Sequence, residues 1–375
     1  MWLLFLLLSV LFLWLLQKLV FKKFWDKGLT VFLSFSDSFI YEGDVSSLKE
    51  TVTNSKRLPV LALSVRLSMS RDLEFLKGAK ENSATSDQTY KRDIFSLLPN
   101  QKTTRTLPFL GKKRGCYSVT SVDVSAFDYF FQKGYYKEYP QSAQLFIYPK
   151  PADIRRITLI HQAISGMIIS RSRLFLDPFE FSGIREYQKS DPMNHINWKA
   201  SARTGNLMVN QFDATTNFSV HILVDMEDPY ILKYEALLEE SIRIAASLAA
   251  SLSRAKMPTR VCVNAEDSLT HTAIDEFLPA GGAQMGVLYQ KLACLEPSKI
   301  SMSFSDLLEK ELALGTTGET YVIISKNHTE ELVSALHRLN ETPNQVLWVL
   351  PTMVYDMDRR FEDSSLSILH WEVEL

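Results

Sequence analysis

The first twenty-odd residues limit this chain more than any other stretch does. Residues 1–17 carry no charged side chain, and fifteen of the twenty positions from Trp2 to Phe21 are Leu, Phe or Val. A helix of about 20 apolar residues crosses the hydrocarbon core of a bilayer. At roughly 0.3–0.6 kcal/mol for each central Leu or Phe, this run favours insertion by several kcal/mol. Trp2 and Trp25 bracket it as interfacial aromatics do, and Lys18 lies where it can snorkel to the headgroups. A cleavable signal peptide would need a basic region before the run and a small-x-small site after it, and neither occurs. Lys18, Lys22, Lys23 and Lys27 oppose a single Asp26 on the carboxyl-terminal flank. The positive-inside rule keeps such a flank in the cytoplasm. The expectation is a single-pass anchor at 1–25 in the cell inner membrane, with residues 2–21 in lipid and the bulk of the chain cytoplasmic.

Beyond the anchor, 41 basic residues balance 43 acidic ones for a net charge of −2, which argues against a nucleic-acid partner. With 14 Gly and 14 Pro the chain is neither fibrous nor disordered. Cys116, Cys262 and Cys294 are too far apart for a CxxC site and leave one over after any pairing, which suits a reducing compartment.

From Gly28 to about Lys150 the apolar residues alternate: Val31, Leu33 and Phe35, then Leu61, Leu63, Val65, Leu67 and Met69, then Tyr117 and Val119. This period belongs to half-buried strands, so 28–150 is expected to be an all-β, sandwich-like domain. The polar run Lys77 to Thr89 reads as a hairpin loop, and Pro149-Lys150-Pro151 as the exit. Residues 151–217 read as a linker, helical or irregular at Ile154 to Phe175. In 218–375 the period changes. Apolar runs at Phe218 to Val224, Arg260 to Asn264, Thr320 to Ser325 and Gln345 to Leu350 alternate with helical patterns at Ile231 to Lys256, Ala283 to Leu295, Ser305 to Leu314 and Thr329 to Leu339, before a last strand at Leu366 to Val373. Strands alternating with helices predict a mainly parallel sheet covered on both faces.

The densest polar constellation lies between these domains. Arg185, Glu186, Asp191, His195, Lys199 and Arg203 fall within nineteen residues, with Trp198 among them. As an acid/base site, Glu186 or Asp191 beside His195 would share a proton near neutral pH and support hydrolysis. As structure, Arg185 and Arg203 would fork onto carboxylates and clamp the connection. The structural reading is preferred, because no nucleophile with an adjacent base, no cofactor loop and no metal-spaced ligands accompany the cluster. No Walker A sequence and no HExxH occur, and Asn217, Asn327 and Asn340 begin glycosylation-type triplets that a cytoplasmic domain would not use.

The run Arg185-Glu186-Tyr187, then Asp191, then Ile196-Asn197-Trp198-Lys199, then Ser201-Ala202-Arg203 and Leu207 resembles a bacterial family called domain of unknown function 58. The resemblance implies an amino-terminal membrane anchor, a β-rich domain and an α/β von Willebrand factor A-like, Rossmann-like domain. It also implies a MoxR-type AAA+ ATPase as partner in the assembly or maturation of other proteins. The motif Arg185, Glu186, Tyr187, Asp191, Trp198, Lys199 and Arg203 would then be structural or partner-binding, and no residue would be catalytic. Ser190, His195 and Asn197 stand where the family usually has Gly, Arg and Asp.

A von Willebrand A-like domain often binds a divalent cation through D-x-S-x-S after its first strand, one carboxylate and two hydroxyls supplying hard oxygen ligands. Here the loop reads Asp225-Met226-Glu227-Asp228-Pro229, keeping the first ligand and replacing both hydroxyls. Asp225, Glu227 and Asp228 are the candidates for Mg²⁺ or Ca²⁺ in another geometry. No cofactor is expected otherwise. The expected function is a non-catalytic, membrane-anchored interaction or scaffold protein. A hydrolase using Glu186, Asp191 and His195, or a metal-dependent adhesion module, would be the alternative.

Overall fold

Uninterrupted by charge, the first segment forms one helix, α1 (Trp2–Phe24), in the computed structural model, which describes residues 2–76, 83–86, 88–174, 181–188, 191, 193–212, 219–229, 234–354 and 361–374. The chain divides into two compact units, Met1–Lys150 with Tyr289–Cys294, and Pro151–Leu288 with Leu295–Leu375.

In the first unit, alternating sequences form two sheets. One has the order β1 (Leu29–Phe35), β3 (Val45–Asn54), β8 (Gln101–Gly111), β5 (Leu73–Phe75). The other has the order β2 (Phe39–Tyr41), β10 (Gly134–Tyr148), β9 (Gly115–Phe127), β4 (Val60–Ser70), β7 (Gln88–Leu97), β6 (Ser83–Thr85). Most of the stretch expected to be a loop before Thr89 therefore lies outside the described residues or pairs as β6 and the start of β7; Lys77 falls outside them. Leu33, Leu48, Val52 and Phe109 from the first sheet share one core with Leu63, Val65, Val124 and Leu145 from the second. A bulge between Pro140 and Ala143 in β10 frees Gln141, whose amide accepts from Leu33 N (2.8 Å) and donates to Val31 O (2.9 Å), tying the sheets together where proline has no N–H to give.

One charged island interrupts that core. Glu50 on β3 and Lys91 and Asp93 on β7 occupy inward positions of their strands and are buried. Asp93 accepts from Arg105 on β8 at 2.6 Å and lies 3.5 Å from Lys91. Among the described residues, neither oxygen of Glu50 meets a donor. Burial, and then the neighbouring Asp93 charge, push the Glu50 carboxyl up to about 8.

The end of α1 is built into this unit. Phe21 (3% exposed) and Trp25 lie in the sandwich core, Phe21 meeting the rings of Tyr129 and Tyr135 at 5.3 and 5.6 Å. Lys56 donates to the carbonyls of Phe24 (3.1 Å) and Trp25, closing a helix terminus whose oxygens otherwise lack donors.

The second unit begins with α2 (Ile154–Leu174), one continuous helix where the sequence left helix and irregular chain open. A two-stranded hairpin follows, β11 (Phe181–Glu186) with β12 (Met208–Phe212), carrying α3 (Trp198–Thr204) between its strands. The large sheet has the order β15 (Ala273–Leu278), β14 (Thr259–Asp267), β13 (Val220–Val224), β17 (Thr320–Ile324), β18 (Gln345–Met353), β19 (Ser367–Val373), with β16 (Leu295–Ile300) also on β14. β14, β13, β17, β18 and β19 are parallel, whereas β15 and β16 run antiparallel to β14. The sheet is therefore mixed. The sequence did not mark β15 and β16, because Ala273–Leu278 and Leu295–Ile300 lack a clear alternation of apolar residues.

β13 and β17 are buried at every position, as strands covered on both faces must be. α4 (Glu235–Arg254) lies on one face and packs against α2. On the other face, α6 (Phe304–Ala313) and α7 (Glu330–Glu341) place Leu308 and Leu336 against Leu223, Ile323 and Trp348. α5 (Met285–Cys294) links β15 to β16.

Candidate functional site

The motif from Arg185 to Arg203 is a folded hairpin. Arg185 on β11 forks onto Asp191 with two contacts of 2.6 Å, and Asp191 also accepts the Gln188 N–H at 2.8 Å. Asp191 holds the Arg185 guanidinium pKa above its ordinary value. Asn197 caps α3 by accepting from Ala200 N (3.0 Å) and donates to Asn210 Oδ1 on β12 (2.7 Å). Ser201 Oγ donates to Asn197 O and accepts from Met208 N, both at 2.8 Å. Gly205, at φ +77, ends the helix in the left-handed conformation that glycine enters most easily. Asn where the family usually has Asp thus still supplies the cap, because either side chain offers an acceptor oxygen.

The remaining motif residues do not converge on a cleft. Glu186 is exposed and, among the described residues, accepts only a long contact from Asn206 (3.4 Å), while Asp191 is engaged by Arg185. His195 ends a 3₁₀ turn, and its ring lies outside the described residues, as does Ser190. Tyr187 is half-buried; its backbone N–H bonds Leu207 O at 2.8 Å. Lys199 and Arg203 face solvent, and Arg203 has no carboxylate partner among the described residues, contrary to the expectation that it forks onto one. Trp198 does not pack inward: it is 66% exposed, and Met193 on the preceding turn is 69% exposed. Trp198 starts a short surface helix fixed by the Asn197 cap, whereas Met193 stands on the separate 3₁₀ turn before it.

The second constellation sits where the order of the parallel strands reverses. β13 is followed in sequence by β14 on one side and in space by β17 on the other, and in open α/β sheets the carboxyl ends at such a switch point form the usual ligand crevice. Asp225, 1% exposed, follows β13 there. It accepts from Ser325 Oγ (2.7 Å) after β17, from Asn327 Nδ2 (2.7 Å), from Asn264 Nδ2 (3.3 Å) on β14 and from Glu227 N (2.9 Å). Burial raises the Asp225 pKa, and these donors act against it. Asn327 also donates to Glu227 O at 2.9 Å, and Asn264 accepts from Met226 N at 2.8 Å, so one carboxylate fixes three strand ends. Burial of Asn327 removes it as a modification site.

The three acids do not share a centre. Glu227 accepts the Phe304 N–H at the start of α6 (2.9 Å), and burial raises its pKa. Asp228 pairs with the buried Lys326 at 2.6 Å. Asp225, Glu227 and Asp228 each face a different partner, and among the described residues no three acidic, His or Cys side chains gather as a metal requires. The residues present do not fit the divalent-cation site that the resemblance implies.

At the opposite ends of the same strands lies a network that the sequence did not reveal. Arg260 forks onto Asp275 (2.7 Å twice) and reaches Glu311 at 2.9 Å. His221 Nε2 is 2.9 Å from Ser219 Oγ, and its Nδ1 is 3.5 Å from Glu311. Burial pushes the Glu311 carboxyl up, but His221 and Arg260 outweigh it and hold it below its ordinary value. The Ser219 hydroxyl is bound by Glu319 as well as His221, so this is a brace between β13, β14 and α6 rather than an activated nucleophile.

No curated protein matches this chain. Among solved structures, similarity extends to the CARDB domain of a Pyrococcus furiosus protein in complex with di-metal ions, at 14% identity over 32% of this chain and 93% of that one, TM-score 0.20. A non-cellulosomal cohesin from Archaeoglobus fulgidus is 12% identical over 32% of this chain and 90% of its own, TM-score 0.22. The sporulation control protein Spo0M from Bacillus subtilis is 11% identical over 43% and 58%, TM-score 0.19. Overlap this low carries no argument about function. Residues 183–344, which take in both the hairpin motif and the Asp225 node, match the family described as "Protein of unknown function DUF58".

Proposed function

We propose that this chain is a membrane-anchored, non-catalytic docking protein whose hairpin motif binds a partner protein, a MoxR-type AAA+ ATPase being the partner the family resemblance implies. The observation that carries this reading is the exposure of Trp198 and Met193 on a hairpin held rigid by the Arg185–Asp191 fork and the Asn197 cap. Large apolar side chains fixed in solvent are what a protein partner buries, and Trp is the residue most enriched where such contacts dominate affinity. The von Willebrand A-like reading of the α/β body draws support from the strand order and from Asp225 at its switch point. The anchor reading draws support from Phe21 and Trp25. A helix with its last turn packed into the sandwich core is part of the folded unit, which a discarded signal peptide would not be.

The test is capture of a purified MoxR-type ATPase by the detergent-solubilised full chain, with and without ATP and Mg²⁺. Binding by the natural chain and its loss in Trp198→Ala supports the proposal. Equal retention by both, or none by either, overturns it. Resistance of the chain to alkaline extraction from membranes checks the anchor separately.

A further inference from the structure

The first unit holds a second apolar feature beside the helix. The turn between β9 and β10 projects Phe130 and Phe131, 59% and 58% exposed, with the Phe127 ring against that of Phe131 at 6.2 Å. The turn is tightly built. Asp128 N bonds Lys133 O (3.1 Å), Phe131 N bonds Asp128 O (2.9 Å), and the buried Asp128 carboxylate accepts from Gln132 N (2.8 Å). Phe131 has φ +56, a backbone region that favours glycine, yet the position carries a large aromatic held outward.

Its location relative to α1 is fixed within the same unit, because Gln132 Oε1 accepts from Trp14 Nε1 at 3.0 Å. Trp14 is ten residues before the end of α1, so the turn reaches about 15 Å up the helix from Phe24. Residues 2–13, which precede that contact, span only about 18 Å, well short of the ~30 Å hydrocarbon core. If α1 crosses a bilayer, residues on to about Phe21 must lie in it, and the turn at the level of Trp14 then lies roughly 10 Å inside the boundary. Lys133 lies over the Tyr135 ring at 5.8 Å, and its long stem can carry the charge to the headgroups.

We infer that the β9–β10 turn is a second membrane contact, with Phe130 and Phe131 seated among lipid acyl chains beside the anchor helix. The inference rests on the proposed anchor. It makes the sandwich a body sunk into the bilayer surface rather than one hung from a tether, because a rigid turn and a helix joined at Trp14 and Gln132 enter together.

The test uses the full chain in vesicles of phosphatidylcholine and phosphatidylglycerol brominated on the acyl chains, which quench only tryptophans within the bilayer. The native Trp2 and Trp14 report the anchor. Phe131→Trp and Phe130→Trp, compared with Phe39→Trp at the other end of the sandwich, report the turn. The inference expects the emission added at 130 and 131 to be blue-shifted and quenched, and that added at 39 to be unaffected. Quenching of the native tryptophans with none at 130 or 131 overturns it and leaves the anchor standing. Shielding of 130 and 131 from an aqueous quencher without bromolipid quenching means that a protein covers the turn, which also overturns it. Absence of any quenching, with release at alkaline pH, overturns the anchor and this inference together.

Discussion

Glu50 in the first unit and Asp225 in the second are both buried carboxylates whose pKa is raised, yet they are opposite kinds of site. Asp225 lies among neutral donors: a hydroxyl, two amides and a backbone N–H. Glu50 lies against a second acid and two cations and, among the described residues, meets no donor. Burial alone therefore does not tell what an acid is for. Neutral donors converging from three strand ends make a carboxylate a knot that fixes loops. A carboxylate beside another acid makes the fold answer to pH.

Removing the knot should have the largest effect. Asp225→Ala leaves the Ser325 and Asn327 donors buried without an acceptor, at about 1–3 kcal/mol each, so a loss of roughly 3–5 kcal/mol is expected in urea unfolding. A loss under about 1 kcal/mol would place the stability of these loops elsewhere and break the comparison.

Glu50→Gln should come next, and its signature is a slope. The folded pKa of about 8 lies above the ordinary 4.5, so folding favours the protonated acid. That stability is fully present below pH 4.5 and is lost as pH rises toward 8. The natural chain should therefore lose up to a few kcal/mol across that window. Glu50→Gln should melt at a temperature that changes less with pH and, above pH 8, should be the more stable of the two. Identical pH profiles would show that Lys91 and Arg105 already keep Glu50 ionised.

These two acids were not equally legible in the sequence. Alternation along β3 puts Glu50 between Leu48 and Val52 on the inward face, a signal present in three residues. The Asp225 node had no such local sign: Asn264, Ser325 and Asn327 are distant in sequence, and only the strand order brings them together. The Arg185–Asp191 pair was legible because six residues and one turn separate its members. The exposure of Trp198 was not, since an aromatic at the start of a helical pattern reads as core. Long periodic elements such as α4 and β17 were legible for the usual reason, that a buried face repeats.

Arg185→Ala should cost less than either acid. Its guanidinium is part exposed, so the fork with Asp191 is screened by solvent, and only a small fall in the melting temperature of the full chain is expected. A larger loss would mean that the hairpin is needed for the α/β body to fold, and the motif would then be structural first and a docking surface second.

The smallest effect on stability decides most about function. An inward Trp198 would cost about 3–5 kcal/mol on truncation to Ala, as buried aromatics do. At 66% exposed it leaves little to lose, and Trp198→Ala should stay within about 0.5 kcal/mol of the natural chain in the same urea titration. Were the docking reading right, the same substitution should weaken partner binding by about 2 kcal/mol, roughly thirtyfold, because a central Trp at an interface carries that much. A side chain that contributes nothing to the fold that displays it, and much to a complex, is present for the complex. If Trp198→Ala instead lowers stability by several kcal/mol, the hairpin packs inward in solution, and the surface on which the proposal stands does not exist.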